Sequence, residues 1–218
     1  MATITAVEVK KLRDLTGAGM MECKRALEET DGDLDKAIEA LRISGAAKAA
    51  QRGAERTASN GLVVAQDNVL LEMLCETDFV AKNADFQALA GTIVGTASDL
   101  QIGDVATLSA TMLTDGRTVA QAIGEMAGII GEKIELGRLA LLQAPVALYL
   151  HKRASDLPPQ VGVMVSYSGN EEDARNAAMQ VAAMRPRYVS RDDVPADVVA
   201  SERRIAEATA KEEGKPEA

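Results

Sequence analysis

Apolar positions along residues 1–44 recur every three to four residues, and the polar residues between them supply helix starts. Thr5-Ala6-Val7-Glu8 has the spacing of a capping box, in which a Thr hydroxyl and a Glu carboxylate satisfy amide donors left open by the first turn. It predicts a helix over Ala6–Leu15. Thr16-Gly17-Ala18-Gly19 interrupts that helix, and Met20–Glu29 predicts a second. Asp33 can cap a third, which carries Leu34, Ala37, Ile38 and Leu41 at i, i+3, i+4, i+7. Residues 1–44 are therefore expected to form a three-helix bundle. The Ala-rich stretch Ala46–Ala58, with Lys48, Arg52 and Arg56 against Glu55, predicts a separate connecting helix with a basic side, within a linker over 45–60.

From Gly61 the period changes. Leu62-Val63-Val64 and Val69–Cys75 are short apolar runs around Asp67-Asn68, the pattern of a β-hairpin. Helical spacing returns with Phe86, Leu89, Ala90, Ile93 and Val94, for which Asn83 can serve as N-cap. A further helix is expected over Val119–Gly128 and a strand over Ile134–Leu142, so 61–143 reads as one α+β unit. A weaker copy of that order follows over 144–218. It has strands at Val146–Leu150 and Val161–Tyr167 around a loop with Pro158-Pro159, then helices over Glu171–Met184 and Asp192–Ala210. Nothing in this copy matches the closing helix and strand of the first, so it reads as incomplete. The expected fold class is α+β.

Charge narrows the function. The chain carries −9 over 218 residues, distributed as zero over 1–56, −7 over 57–150 and −2 over 151–218. Such a surface repels phosphate backbones and anionic lipid, so direct nucleic-acid and membrane partners are not expected. No apolar run approaches the roughly 18 residues of a membrane span, and Met1-Ala2-Thr3-Ile4 lacks a signal-peptide pattern, which leaves a cytosolic location. The two cysteines, Cys23 and Cys75, sit in apolar patterns with no Cys/His cluster nearby and are expected as buried free thiols. Neither a bound metal nor a cofactor is expected.

Several motifs resemble chemistry and fail on detail. Thr16–Lys24 is glycine-rich and ends in Lys, but a phosphate loop requires Gly before that Lys and a strand before the loop. What remains is a tight turn presenting Met20 and Met21, thioethers that suit core filling or a docking surface, with core the commoner fate. Asp31–Asp35 begins like a calcium loop, but Lys36 and Arg42 stand where Gly and Glu are required. His151 has no acid, Ser or Cys partner at motif spacing, so no catalytic dyad or triad emerges.

Aromatics are scarce: no Trp, three Tyr, and two Phe, Phe79 and Phe86, seven residues apart. A helix starting at Phe79 would place both rings on one buried face. If instead Asn83 is the cap, Thr77–Lys82 is a strand-to-helix loop. Phe79 beside Asp78 is then a wedge for a partner protein.

At two segments the chain resembles the bacterial elongation factor Ts family, the guanine-nucleotide exchange factors for elongation factor Tu. Val9-Lys10-Lys11-Leu12-Arg13 with Thr16–Lys24 is similar to the family's N-terminal signature, and Thr77-Asp78-Phe79-Val80-Ala81-Lys82-Asn83 to its second. Ser44–Ala50 lies between them and Ile130-Gly131-Glu132 after them, in family order. The resemblance implies a ubiquitin-associated-like domain joined to a core of two α+β halves, binding elongation factor Tu in its GDP-bound and nucleotide-free states. It implies that Thr77, Asp78, Phe79 and Val80 dislodge the partner's magnesium, with the aromatic inserted beside the nucleotide. Ile130 and Gly131 fall near the partner's phosphate loop, and Arg13, Met20, Met21, Arg52 and His151 fall at partner contacts. Family members continue past Gly-Lys-Pro with a basic helix and a strand. The alternative from another class is a helix-binding adaptor without exchange activity.

Overall fold

The computed structural model describes residues 4–214, without the side chains of 46–55. The chain divides into two units, residues 1–182 and residues 183–218.

In the first unit, α1 (Ala6–Thr16), α2 (Met20–Glu29) and the first turns of α3 (Leu34–Glu55) enclose Val9, Leu12, Cys23, Ala26, Leu27 and Ala37. The capping box forms as its spacing predicts: the Glu8 amide donates to Thr5 Oγ1 at 3.3 Å and the Thr5 amide to Glu8 Oε2 at 2.8 Å. α1 stops at Gly17, whose φ of 68° is a left-handed conformation that a side chain would strain.

A three-stranded antiparallel sheet follows, ordered β1 (Asn60–Gln66), β2 (Val69–Cys75), β3 (Ile134–Leu141). β2 is the centre strand and alternates strictly. Val69, Leu71, Met73 and Cys75 face inward, where they meet Phe86, Ile93, Leu108 and Val119 in the main core. Gly61 is required where β1 crosses the end of β2, because a Cβ there would lie 2.1 Å from the Met73 carbonyl oxygen. The helices over this sheet are α4 (Asp78–Lys82), α5 (Ala84–Asp99), α6 (Val105–Ala110) and α7 (Val119–Ile130). A second antiparallel pair, β4 (Val146–His151) with β5 (Val161–Ser166), lies against β1, where the Val63 amide donates to the Pro159 carbonyl at 2.8 Å. α8 (Glu171–Met184) buries Ala174 and Ala178. In the second unit, α9 (Ala196–Glu212) follows a turn in which the Ser190 amide and hydroxyl both donate to Asp193 Oδ2 at 2.9 Å. The fold mixes helices with small antiparallel sheets, consistent with the α+β class.

Two expectations are corrected and one element is added. The third helix and the connecting helix are one element of 22 residues. Ser44-Gly45 does not end it because α3 crosses α7 there: a Cβ on Gly128 would lie 3.4 Å from the Gly45 backbone, so the glycines serve close approach. Thr77–Lys82 is not a loop, because the Thr77 hydroxyl caps one helical turn, α4. α6 was not anticipated; Asp104, which accepts the Thr107 amide at 2.8 Å, is its sequence signal.

Candidate functional site

The turn that carries Phe79 is fixed from below. Val80 and Ala81 are buried against β1 and β2, which leaves the preceding side chain pointing away from the core: Phe79 is 79% exposed, whereas Phe86 is 0% exposed. Asn83 separates the two rings. Its extended backbone ends α4, and its side chain accepts the Asp85 and Phe86 amides at 2.8 and 3.1 Å to start α5. The shared-face arrangement of the two rings is thereby broken.

Both ends of α4 are tied to distant chain. Thr77 donates to Glu132 twice, from its amide to Oε2 at 3.0 Å and from its hydroxyl to Oε1 at 2.6 Å, while its hydroxyl oxygen accepts the Val80 amide at 3.4 Å. At the other end Lys82 lies 2.7 Å from Asp156 and 3.5 Å from Asp78. The bond to Asp156 holds the Lys82 ammonium above its ordinary range and the Asp156 carboxyl below it. Beneath the turn, burial first and the Glu132 charge second push the Cys75 thiol up to about 11, which keeps it neutral and inert. Glu76 is held as well: it accepts the Lys133 amide at 2.5 Å and pairs with Arg56 at 3.2 Å.

These contacts bring two of the sequence-identified segments together. Ile130 is the last residue of α7, and Gly131 caps it with φ 86°, turning the chain so that Glu132 reaches Thr77. The α1–α2 turn is adjacent to the same helix end, since a Cβ on Gly17 would lie 2.8 Å from Ile129 Cγ2. Met20 and Met21 follow that turn and are 49% and 74% exposed. Their expected place in the core is overturned, because Cys23, Ala26 and Leu27 supply the buried stripe of α2. A cleft of about 370 Å³ runs between this turn, α3 and α7. It is crossed by an ion pair of Arg42 with Glu125, which Arg117 also binds at 2.6 Å. Arg13 is exposed on the last turn of α1. Arg52 belongs to the stretch of α3 whose side chains are outside the described residues. His151 ends β4, exposed, with its Nδ1 3.2 Å from the Tyr149 hydroxyl.

Sequence reasoning did not assign Glu132 or Asp156 to the site. Glu132 follows Ile130-Gly131 directly, but no local spacing relates it to Thr77, which is 55 positions earlier. Among the described residues no group of three or more His, Cys, Asp or Glu is placed to hold a metal ion, and no helix is long and apolar enough to cross a membrane. The arrangement is suited to binding: an apolar ring on a rigid base, flanked by an acid, with exposed thioethers near the end of the same neighbouring helix.

Comparison with known proteins agrees over the whole length. The family model described as Elongation factor TS matches residues 76–218. The chain is 59% identical over 217 residues to the Elongation factor Ts of Nocardioides sp. and 60% identical over 222 residues to that of Nocardia farcinica. It is 57% identical over 218 residues to that of Mycobacterium bovis, and each match spans 100% of this chain and 80% of the relative. The chain therefore belongs to the elongation factor Ts family and has the role of a translation elongation factor.

Proposed function

We propose that this protein is a guanine-nucleotide exchange factor that binds elongation factor Tu with GDP, displaces the magnesium ion and releases the nucleotide so that GTP enters. It acts by binding, without covalent chemistry and without a cofactor or metal of its own. The observation that carries this reading is Phe79, an exposed ring on a turn whose base is buried and bonded at both ends.

A GTPase holds its nucleotide through phosphate contacts and magnesium. A factor that prefers the conformation in which those contacts are spoiled lowers nucleotide affinity by the ratio in which nucleotide lowers affinity for the factor. Phe79 supplies the wedge, Asp78 the acid beside it and Thr77 its cap, while Val80, being buried, seats the turn. Ile130 and Gly131 stand by the partner's phosphate loop. Arg13, Met20 and Met21 dock on the partner's nucleotide-binding domain, and Arg52 and His151 add contacts. In this reading residues 1–44 are a ubiquitin-associated-like domain, 45–60 the linker, and 61–143 and 144–218 two core halves. The setting is the cytoplasm, with no direct contact to nucleic acid or membrane.

The test is release of fluorescent GDP from elongation factor Tu. The protein accelerates it, and Phe79→Ala loses at least about thirtyfold of that acceleration, the loss of a hot-spot aromatic, with an unchanged circular dichroism spectrum. Binding without acceleration by the unmodified protein would leave the adaptor reading standing instead.

A further inference from the structure

We infer that Glu132 is a positioning residue that locks the Phe79 turn to the end of α7, so that the ring and the Ile130-Gly131 corner meet the partner as one rigid body. The functional half of this inference rests on the exchange reading above; the mechanical half does not.

α4 has five residues, far fewer than the roughly 12 that a helix needs to persist without outside support. Its support is asymmetric. Val80 and Ala81 seat one side in the core, but the residues that aim the ring, Thr77 and Asp78, lie at its open end. There the Glu132 carboxylate takes both donors of Thr77, at 3.0 and 2.6 Å. The Thr77 hydroxyl, by donating to Glu132, turns a lone pair to the Val80 amide at 3.4 Å. The three groups form a chain from Val80 N–H through Thr77 O–H to a charged acceptor, an order in which each bond strengthens the next. Without the carboxylate, the half-buried Thr77 amide and hydroxyl lose their acceptor, and the turn is free to rotate toward water.

Gly131 has a matching role. With φ 86° and no atom from elsewhere in the fold within 4 Å of the place a Cβ would take, it is a glycine for its conformation and not for close contact. Its left-handed corner is what directs the next residue back to Thr77.

Glu132→Ala and Glu132→Gln in the full chain test both halves. Amide hydrogen exchange of the free protein decides the mechanical one. In Glu132→Ala, protection of the Thr77 and Val80 amides falls at least about tenfold, equivalent to about 1.4 kcal/mol, while Leu62 and Met73 in the sheet keep theirs. Glu132→Gln, which retains one carbonyl acceptor, falls between. Unchanged protection at Thr77 and Val80, or an equal loss in the sheet, overturns the brace. A double-mutant cycle on GDP release decides the functional half: Glu132→Ala costs about tenfold alone and nothing further when added to Phe79→Ala. Full additivity overturns action through Phe79. Failure of the unmodified protein to accelerate release would refute the exchange reading and with it the functional half, leaving the amide result to judge the brace.

Discussion

The two phenylalanines provide an internal control, because identical substitutions should have opposite consequences. Phe86 is 0% exposed in the core, so Phe86→Ala removes a full ring from packed surroundings at a cost of about 3–5 kcal/mol. Phe79 is 79% exposed, so only about a fifth of its area is covered. Taking roughly 200 Å² for a phenylalanine, that is about 40 Å², worth about 1 kcal/mol at 25 cal/mol per Å². The better helix propensity of Ala, about 0.5 kcal/mol, offsets part of it. Urea titration of the two variants, followed by circular dichroism, reads the difference. With a slope of about 2 kcal/mol per molar, the midpoint drops by roughly 1.5–2.5 M for Phe86→Ala and by less than about 0.5 M for Phe79→Ala. A Phe79→Ala midpoint as low as that of Phe86→Ala would mean that the ring is structural, and the wedge argument would collapse.

Acid should act on the contact between α3 and α7. Burial pushes the Glu125 carboxyl up, but hydrogen bonds from Arg117 and Arg42 more than offset it and hold the group below its ordinary value of 4.5. A depressed carboxyl contributes stability that is complete above the unfolded-state value and is lost as pH falls through the folded one. Between about pH 5 and pH 3, the melting temperature of the unmodified protein therefore falls more steeply than that of Glu125→Gln; parallel curves would refute the assignment. Gly61→Ala should destabilise by about 1–3 kcal/mol, since its Cβ would meet the Met73 carbonyl oxygen at 2.1 Å and the residue has φ 142°. A urea midpoint unchanged from the parent would contradict that geometry.

Elements whose signal is local were legible in the sequence. Thr5 and Glu8 build their capping box, Asn83 caps α5, and the Asp67-Asn68 hairpin pairs in register from Asn60–Cys75 to Gln66–Val69. Features set by distant partners were not. The break expected between the bundle over 1–44 and the linker over 45–60 is absent where Gly45 packs on Gly128, and Met20 and Met21 look like core until Cys23, Ala26 and Leu27 are seen to fill that role. At the site, Phe79 was legible as one of two alternatives, and the cap at Asn83 decides between them. Glu132 and Asp156 were not legible as site residues, because the bonds that join them to α4 cross long stretches of chain and leave no periodicity behind.

The bond between Thr77 and Glu132 also sets an order of events. It closes a loop of 55 residues that contains α5, α6 and α7, and closing a loop of that length costs chain entropy that packing of the intervening elements has to offset. On a growing polypeptide the Thr-Asp-Phe-Val sequence emerges well before the carboxylate that aims it. A fragment cut between Lys82 and Glu132 keeps every letter of that motif and loses its brace. If the exchange reading and the brace both hold, readiness to engage a partner is a property of the finished fold.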